Sequence, residues 1–168
     1  MSRIRRSKLT HERLRELLRY DPATGVFMWR RSPRYQIEAG DRAGCEHGGE
    51  QPWRDIYIDG LAYRESRLAW LYMTGEWPQL EIDHRNRNPL DSSWANLRLA
   101  TSTQIKVKQK LRRDNKTGFK GVHRRGDRFY ARTRIKGKYE HLGMFDTAKA
   151  AHERYQQVRI LLHGEFAA

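Results

Sequence analysis

The chain has 168 residues, with 34 Lys and Arg against 20 Asp and Glu, a net charge of +14 and a pI near 10.3. That surplus makes a polyanion the expected partner, nucleic acid first. The single cysteine, Cys45, excludes an internal disulfide and any site built on several thiolates, and the longest apolar run, residues 68–73, is far too short to cross a membrane. The basic start, residues 1–8, lacks the apolar stretch of a secretory signal, so the expected location is the cytoplasm, with no membrane and no protein partner implied. Arg3, Arg5, Arg6 and Lys8 there form either a frayed tail or an arm touching phosphate. The charge is unevenly spread: residues 1–105 carry 17 basic and 14 acidic side chains, residues 106–168 carry 17 and 6.

In chain order, Leu9, Leu14, Leu17 and Leu18 sit at helical spacing behind a Thr10 cap, and Asp21-Pro22-Ala23-Thr24-Gly25 breaks into a turn before a strand over 26–29. Residues 31–52 are polar and glycine-rich and read as a long loop. Cys45 and His47 within it would be two zinc ligands with no second pair nearby, so Cys45 is taken as a loop thiol and no metal is assigned. Asp59-Gly60 between Ile56-Tyr57-Ile58 and Leu61-Ala62-Tyr63 is a two-residue hairpin signal. A short helix over 66–74, stopped by Gly75, follows, with Trp70, Tyr72 and Trp77 expected in the core.

A strand over 82–84, the turn Arg85-Asn86-Arg87-Asn88-Pro89, a second strand over 97–99 and a helix starting at Thr101 come next, Thr101 and Gln104 having capping-box spacing. Residues 106–117 hold six basic side chains and read as a helix tail passing into a linker, either solvated or following a phosphate backbone. From Gly118 the pattern becomes three short strands and a helix. Phe129, Ala131, Thr133 and Ile135 alternate with Tyr130, Arg132, Arg134 and Lys136, so one face packs inward and the other is basic. Lys136-Gly137-Lys138 is the turn to the third strand. A helix from about Thr147 carries an apolar stripe of Ala148, Ala151, Tyr155, Val158 and Leu162. Arg124, Arg125, Arg132, Arg134 and Lys138 are expected to cluster on the basic face, which suits a major groove.

The chemistry concentrates at Asp83-His84 and Asn96. A carboxylate is a hard donor suited to Mg²⁺ or Mn²⁺, and an imidazole is free to take a proton from water near neutral pH. Asn96 is no base, but its amide can tie down the loop or orient the imidazole. Adjacent strand residues face opposite sides, so Asp83 and His84 reach one phosphate only where the strand ends or twists.

The stretches Arg67-Leu-Ala-Trp-Leu-Tyr-Met-Thr-Gly-Glu-Trp-Pro78, Ile82-Asp-His84 and Trp94-Ala-Asn-Leu-Arg-Leu-Ala-Thr101 resemble phage-type HNH homing endonucleases. That resemblance implies a ββα-metal fold around residues 80–110, Asp83 as a ligand of Mg²⁺ or Mn²⁺, His84 as general base, Asn96 as the loop-fixing residue and double-stranded DNA as substrate, in a phage or prophage protein. The family usually places a second metal-binding Asn where this chain has Ile105, and often an Asn at Ser92. An aliphatic side chain cannot coordinate Mg²⁺.

Gly118-Phe-Lys-Gly-Val-His-Arg124, His141-Leu-Gly-Met-Phe-Asp-Thr-Ala148 and Leu162-His-Gly-Glu-Phe-Ala167 resemble the ethylene-response-factor, or Apetala-type, DNA-binding domain. In that family the sheet reads the major groove through positions matching His123, Arg125, Arg132, Arg134, Tyr139 and His141. The expected architecture is α+β: an HNH nuclease-like domain over 1–105, a basic linker over 106–117, and over 118–168 a three-stranded antiparallel sheet packed on one helix. The expected function is a metal-dependent, sequence-recognising DNA endonuclease, and its competitor is a DNA-binding protein that has kept the nuclease scaffold without its activity.

Overall fold

The computed structural model describes residues 9–34, 36–49, 52–108, 111, 114–135 and 137–167. The expected basic arm at Arg3, Arg5, Arg6 and Lys8, the turn residue Lys136, and Gln109, Lys110, Arg112 and Arg113 of the basic stretch lie outside the described residues. The chain forms two compact units, residues 1–100 and 101–168, and mixes helix with sheet in both.

In the first unit, helix α1 (His11–Leu17) starts where the Thr10 hydroxyl accepts from the Arg13 backbone N–H at 3.2 Å. Leu18 does not extend the helix as its spacing proposes. It opens strand β1 (Leu18–Asp21), because Leu18 and Tyr20 are buried while Arg19 and Asp21 are exposed, and that two-residue alternation prevails over the helical one. The expected turn follows, with Asp21 accepting from the Ala23 N–H at 3.0 Å and the Thr24 hydroxyl at 2.8 Å, and β1 pairs antiparallel with β2 (Val26–Trp29).

Inside the stretch read as loop, β3 (Cys45–His47) pairs as an edge strand with β4 (Trp53–Ile58), which pairs with β5 (Leu61–Arg64). Cys45-Glu46-His47 has no apolar alternation, so only the neighbouring strand reveals it as β-structure. The β4–β5 turn has Asp59 and Gly60 both at positive φ, 50° and 77°, which matches the right-handed twist of the flanking strands.

Helix α2 (Glu65–Thr74) ends at Gly75, φ 79°, whose N–H donates to the Leu71 carbonyl. Its buried face, Leu68, Ala69, Leu71 and Tyr72, joins Leu14, Leu18, Phe27, Ile56 and Ile58 in one core. Each such aliphatic side chain contributes about 1.5–3 kcal/mol by leaving water. Trp77 packs at the core's edge, stacked on Tyr63, with its indole N–H donating to the Leu9 carbonyl at 2.9 Å, and Trp70 lies half-buried against Trp94. The hairpin β6 (Glu81–His84) and β7 (Leu97–Ala100) completes the unit.

The second unit begins with α3 (Ser102–Lys108), where Thr101 and Gln104 form the expected reciprocal cap. Strands β8 (Val122–Arg125), β9 (Arg128–Ile135) and β10 (Lys138–Phe145) make an antiparallel sheet with β9 central, packed on α4 (Ala148–His163). The core is Val122, Ala131, Ala151 and Tyr155, with Phe119, Phe129, Leu142, Phe145 and Ala148 against it. The apolar stripe of α4 is core only in its first half. Leu162 is 41% exposed, and Arg159 is buried one residue past the half-buried Val158. The core is small, and the helix's last turns run past it.

Candidate active site and nucleic-acid interface

Asp83 and His84 are the last two residues of β6, and the ladder stays in register through both: Asp83 lies opposite Arg98 and His84 opposite Leu97. The strand therefore neither ends nor slips between them. Regular alternation puts Asp83 on the face of Arg98 and His84 on the face of Ile82 and Leu97, the latter a core residue. One phosphate meets both only at the strand's end, where Arg85 leaves into the turn. Across the pair, Arg98 Nε donates to Asp83 Oδ2 at 2.8 Å, and both side chains are close to nine-tenths buried. This ion pair, fifteen residues apart in sequence, has no local signal, although the strand assignments place both residues on one hairpin.

Asn96 closes the loop between the strands. Its side-chain carbonyl accepts from the Asn86 N–H at 2.9 Å, its amide N–H donates to the Asp91 carbonyl at 2.7 Å, and its own backbone carbonyl accepts from the Arg85 N–H. Asp91 is fastened too, accepting from the Ser93 hydroxyl and the Asn86 amide. Those hydrogen bonds, from Ser93 first, hold its carboxyl below the usual range, aided by His84. A further anchor comes from the first hairpin: the Tyr20 hydroxyl donates to the Ser92 carbonyl at 2.7 Å and the Trp94 N–H donates to the Pro22 carbonyl.

Sequence reasoning overlooked Glu65, which lies beneath this loop's support. It is 2% exposed, and neither carboxylate oxygen has a hydrogen-bond partner among the described residues, the guanidinium nitrogens of Arg42 and Arg54 standing 4.0 Å away. Burial pushes its carboxyl up to about 7, and Arg42, Arg54 and, least, the nearby Ser92 side chain oppose that only in part. A carboxyl raised above its ordinary 4.5 takes up a proton on folding, so the stability it lends is full below about pH 4.5 and is lost as pH climbs through 7. That difference corresponds to roughly 3 kcal/mol. Glu65→Gln, neutral at every pH, should therefore show a higher urea midpoint than the parent at pH 8 and the same midpoint at pH 4. Equal midpoints at pH 8 would contradict this account.

As to a metal, among the described residues no group of three or more His, Cys, Asp or Glu is placed to hold one. Cys45 is a free, exposed thiol, but it opens the edge strand β3 and does not lie in a loop as expected, and His47 stacks on Trp53 with Nε2 3.5 Å from Asp55. The donor chemistry at β6 is a single carboxylate, fixed from one side by Arg98. It fits a hard cation that takes one protein oxygen and completes its shell with water and phosphate. Ile105, in α3, is half-buried and offers no donor.

In the second unit, the strand register brings His123, Arg125, Tyr130, Arg132, Arg134, Tyr139 and His141 to one face of the sheet. Tyr130 stacks between His123 and His141, at 5.1 and 5.6 Å. Arg132 Nε donates to His123 Nε2 at 2.9 Å, and the guanidinium groups of Arg132 and Arg134 lie 4.5 and 5.7 Å from the Tyr139 ring centroid. Burial, and then the charge of Arg132, pull the His123 pKa down, so its ring stays neutral and accepts from the arginine. Arg124 and Lys138 do not join this face as expected. They pair with Phe129 and Ile135, which puts them on the helix side of the alternation. Clustering in sequence did not distinguish the two sides. A groove of about 610 Å³ lined by Lys106, Lys116, Lys120 and Arg124 opens beside His123 and Tyr130.

No described helix is long and apolar enough to cross a membrane. No curated protein and no solved structure matches the chain. Residues 63–106, which contain the β6–β7 hairpin and its loop, match the family model of the HNH endonuclease. The match covers about a quarter of the chain, and over that segment the protein is similar to HNH endonucleases.

Proposed function

We propose that the chain is a divalent-metal-dependent endonuclease of the homing type that recognises and cuts duplex DNA, with its C-terminal sheet as an ethylene-response-factor-like reader of the major groove. The observation that carries this reading is the HNH match over residues 63–106, set on a hairpin that has Asp83 and His84 at its end and Asn96 fastening its loop. In the reaction a ring nitrogen of His84 takes the proton of a water whose oxygen bonds to phosphorus as the bond to the leaving sugar oxygen breaks. Asn96 keeps the loop closed beside that ring, and Asp83 would hold Mg²⁺ or Mn²⁺, which when bound supplies positive charge at a non-bridging phosphate oxygen.

On the second unit, His123, Arg125, Arg132, Arg134, Tyr139 and His141 would face base edges and phosphates. Arg124 and Lys138, on the other side, would reach backbone phosphate at the rim. The +11 balance of residues 106–168 supports this division of labour.

The test is incubation of the purified protein with supercoiled plasmid in Mg²⁺, in Mn²⁺ and in excess chelator. Nicked or linear product that appears only with metal supports the endonuclease. Tight duplex binding with no product under any condition favours the second reading, a DNA-binding protein that retains the scaffold. Ile105 and the hold of Arg98 on Asp83 are the observations on its side.

A further inference from the structure

The carboxylate assigned to the metal already has a cation against it. Arg98 Nε sits 2.8 Å from Asp83 Oδ2 on directly paired strand residues, and the exposures of the two side chains are only 8% and 10%. A guanidinium does not lose its proton in a protein, and this one cannot swing into water without leaving the hairpin's interior. We infer that Arg98 makes metal loading conditional on DNA: Asp83 binds a divalent cation weakly in the free protein and firmly only when a backbone phosphate is present to share it. The inference rests on the endonuclease reading and adds an order of events to it.

The argument is one of charge. In that reading Asp83 is the carboxylate ligand, Ile105 occupying the sequence position at which a second donor is expected, and the Asp83 carboxylate is already engaged by Arg98. A dication arriving at Asp83 therefore meets a carboxylate already engaged by a guanidinium, which repels it at close range in surroundings poorer in water than the surface. Displacing Arg98 instead would leave a buried charge unpaired, which is costlier still. A phosphodiester laid at the end of β6 brings one negative charge and two non-bridging oxygens, which supply a further ligand and offset the repulsion from Arg98. Linkage then requires the converse, that the metal tighten DNA binding by the same factor.

The experiment uses the full chain and Mn²⁺, followed by electron paramagnetic resonance of the free ion, with and without a duplex the protein binds, after subtracting uptake by the duplex alone. Parent, Arg98→Met and Asp83→Asn are compared, and urea midpoints check folding. The parent should bind Mn²⁺ at least tenfold more tightly with the duplex than without it, and Mn²⁺ should strengthen duplex binding in gel shift by a matching factor. Arg98→Met should bind Mn²⁺ without DNA at least tenfold more tightly than the parent, and Asp83→Asn should lose uptake in every arm.

Equally tight uptake by the free parent, or an unchanged DNA-linked gain in Arg98→Met, overturns the role of Arg98 and leaves the endonuclease reading standing. Absence of any Asp83-dependent Mn²⁺ in the protein–DNA complex overturns both. Should Arg98→Met fail to fold, Arg98→Gln, which keeps a hydrogen-bond donor beside Asp83 without the charge, takes its place with the same expected and overturning results.

Discussion

Replacing His84 by alanine should lower the rate of plasmid nicking by roughly 10²- to 10⁴-fold, the range a positioned general base contributes, while duplex binding in gel shift stays within a factor of two or so of the parent. The two readouts separate because the side chain sits at the end of β6 in the first unit, whereas the basic sheet face lies in the second. His84 is half-buried on the face of Ile82 and Leu97, so its removal leaves a small gap against the core, and a urea titration belongs beside the assay. Nicking that survives in the alanine variant at the parent's rate would remove His84 from the chemistry altogether. Loss of nicking together with loss of DNA binding would show a folding defect in place of a chemical one.

The second large effect is expected far from any reacting atom. Gly25 has φ +77°, and a Cβ built on it would lie 2.3 Å from the backbone of Ser92 and Ser93. Gly25→Ala must therefore adopt a left-handed backbone, at about 1–2 kcal/mol, and also push apart two main chains, at about 1–3 kcal/mol more. Neither neighbour is a flexible side-chain tip that can yield. Against a total stability of the order of 5–15 kcal/mol, the urea midpoint should fall by a large fraction. The point of contact is also where Tyr20 and Pro22 hold the loop that ends in Asn96, so whatever folded protein remains should nick more slowly. A midpoint equal to the parent's would show that the two hairpins can separate without cost.

Much of this was legible locally. Asp59-Gly60 dictates its hairpin because both residues tolerate positive φ, the Thr101 and Gln104 pair starts α3, Gly75 stops α2, and the alternation from Phe129 to Ile135 separates the inner from the outer face of β9. Asp83 and His84 stood out because a hard donor beside an imidazole suits phosphodiester hydrolysis, and Asn96 through the HNH resemblance; as residue types alone, Asp and Asn are ordinary in turns. What escaped depends on partners remote in sequence. Cys45–His47 is a strand only because Trp53–Ile58 lies beside it. Glu65 looks like an ordinary acidic helix start until the fold takes it out of water, 2% exposed with Arg42 and Arg54 at 4.0 Å. Arg124 and Lys138 read as members of a cationic cluster until the pairing register sorts the two sides of the sheet.

The division of the chain at Ala100 and Thr101 also governs how it can be taken apart. Helix α3 belongs to the matched nuclease segment in sequence, yet it is counted with the C-terminal unit and touches the short turn Gly164–Ala167 near the chain's end. A fragment cut after Lys108 would keep the helix and discard the turn that it touches. Replacing the residues after 117 with another domain would strip α3 of that turn in the same way.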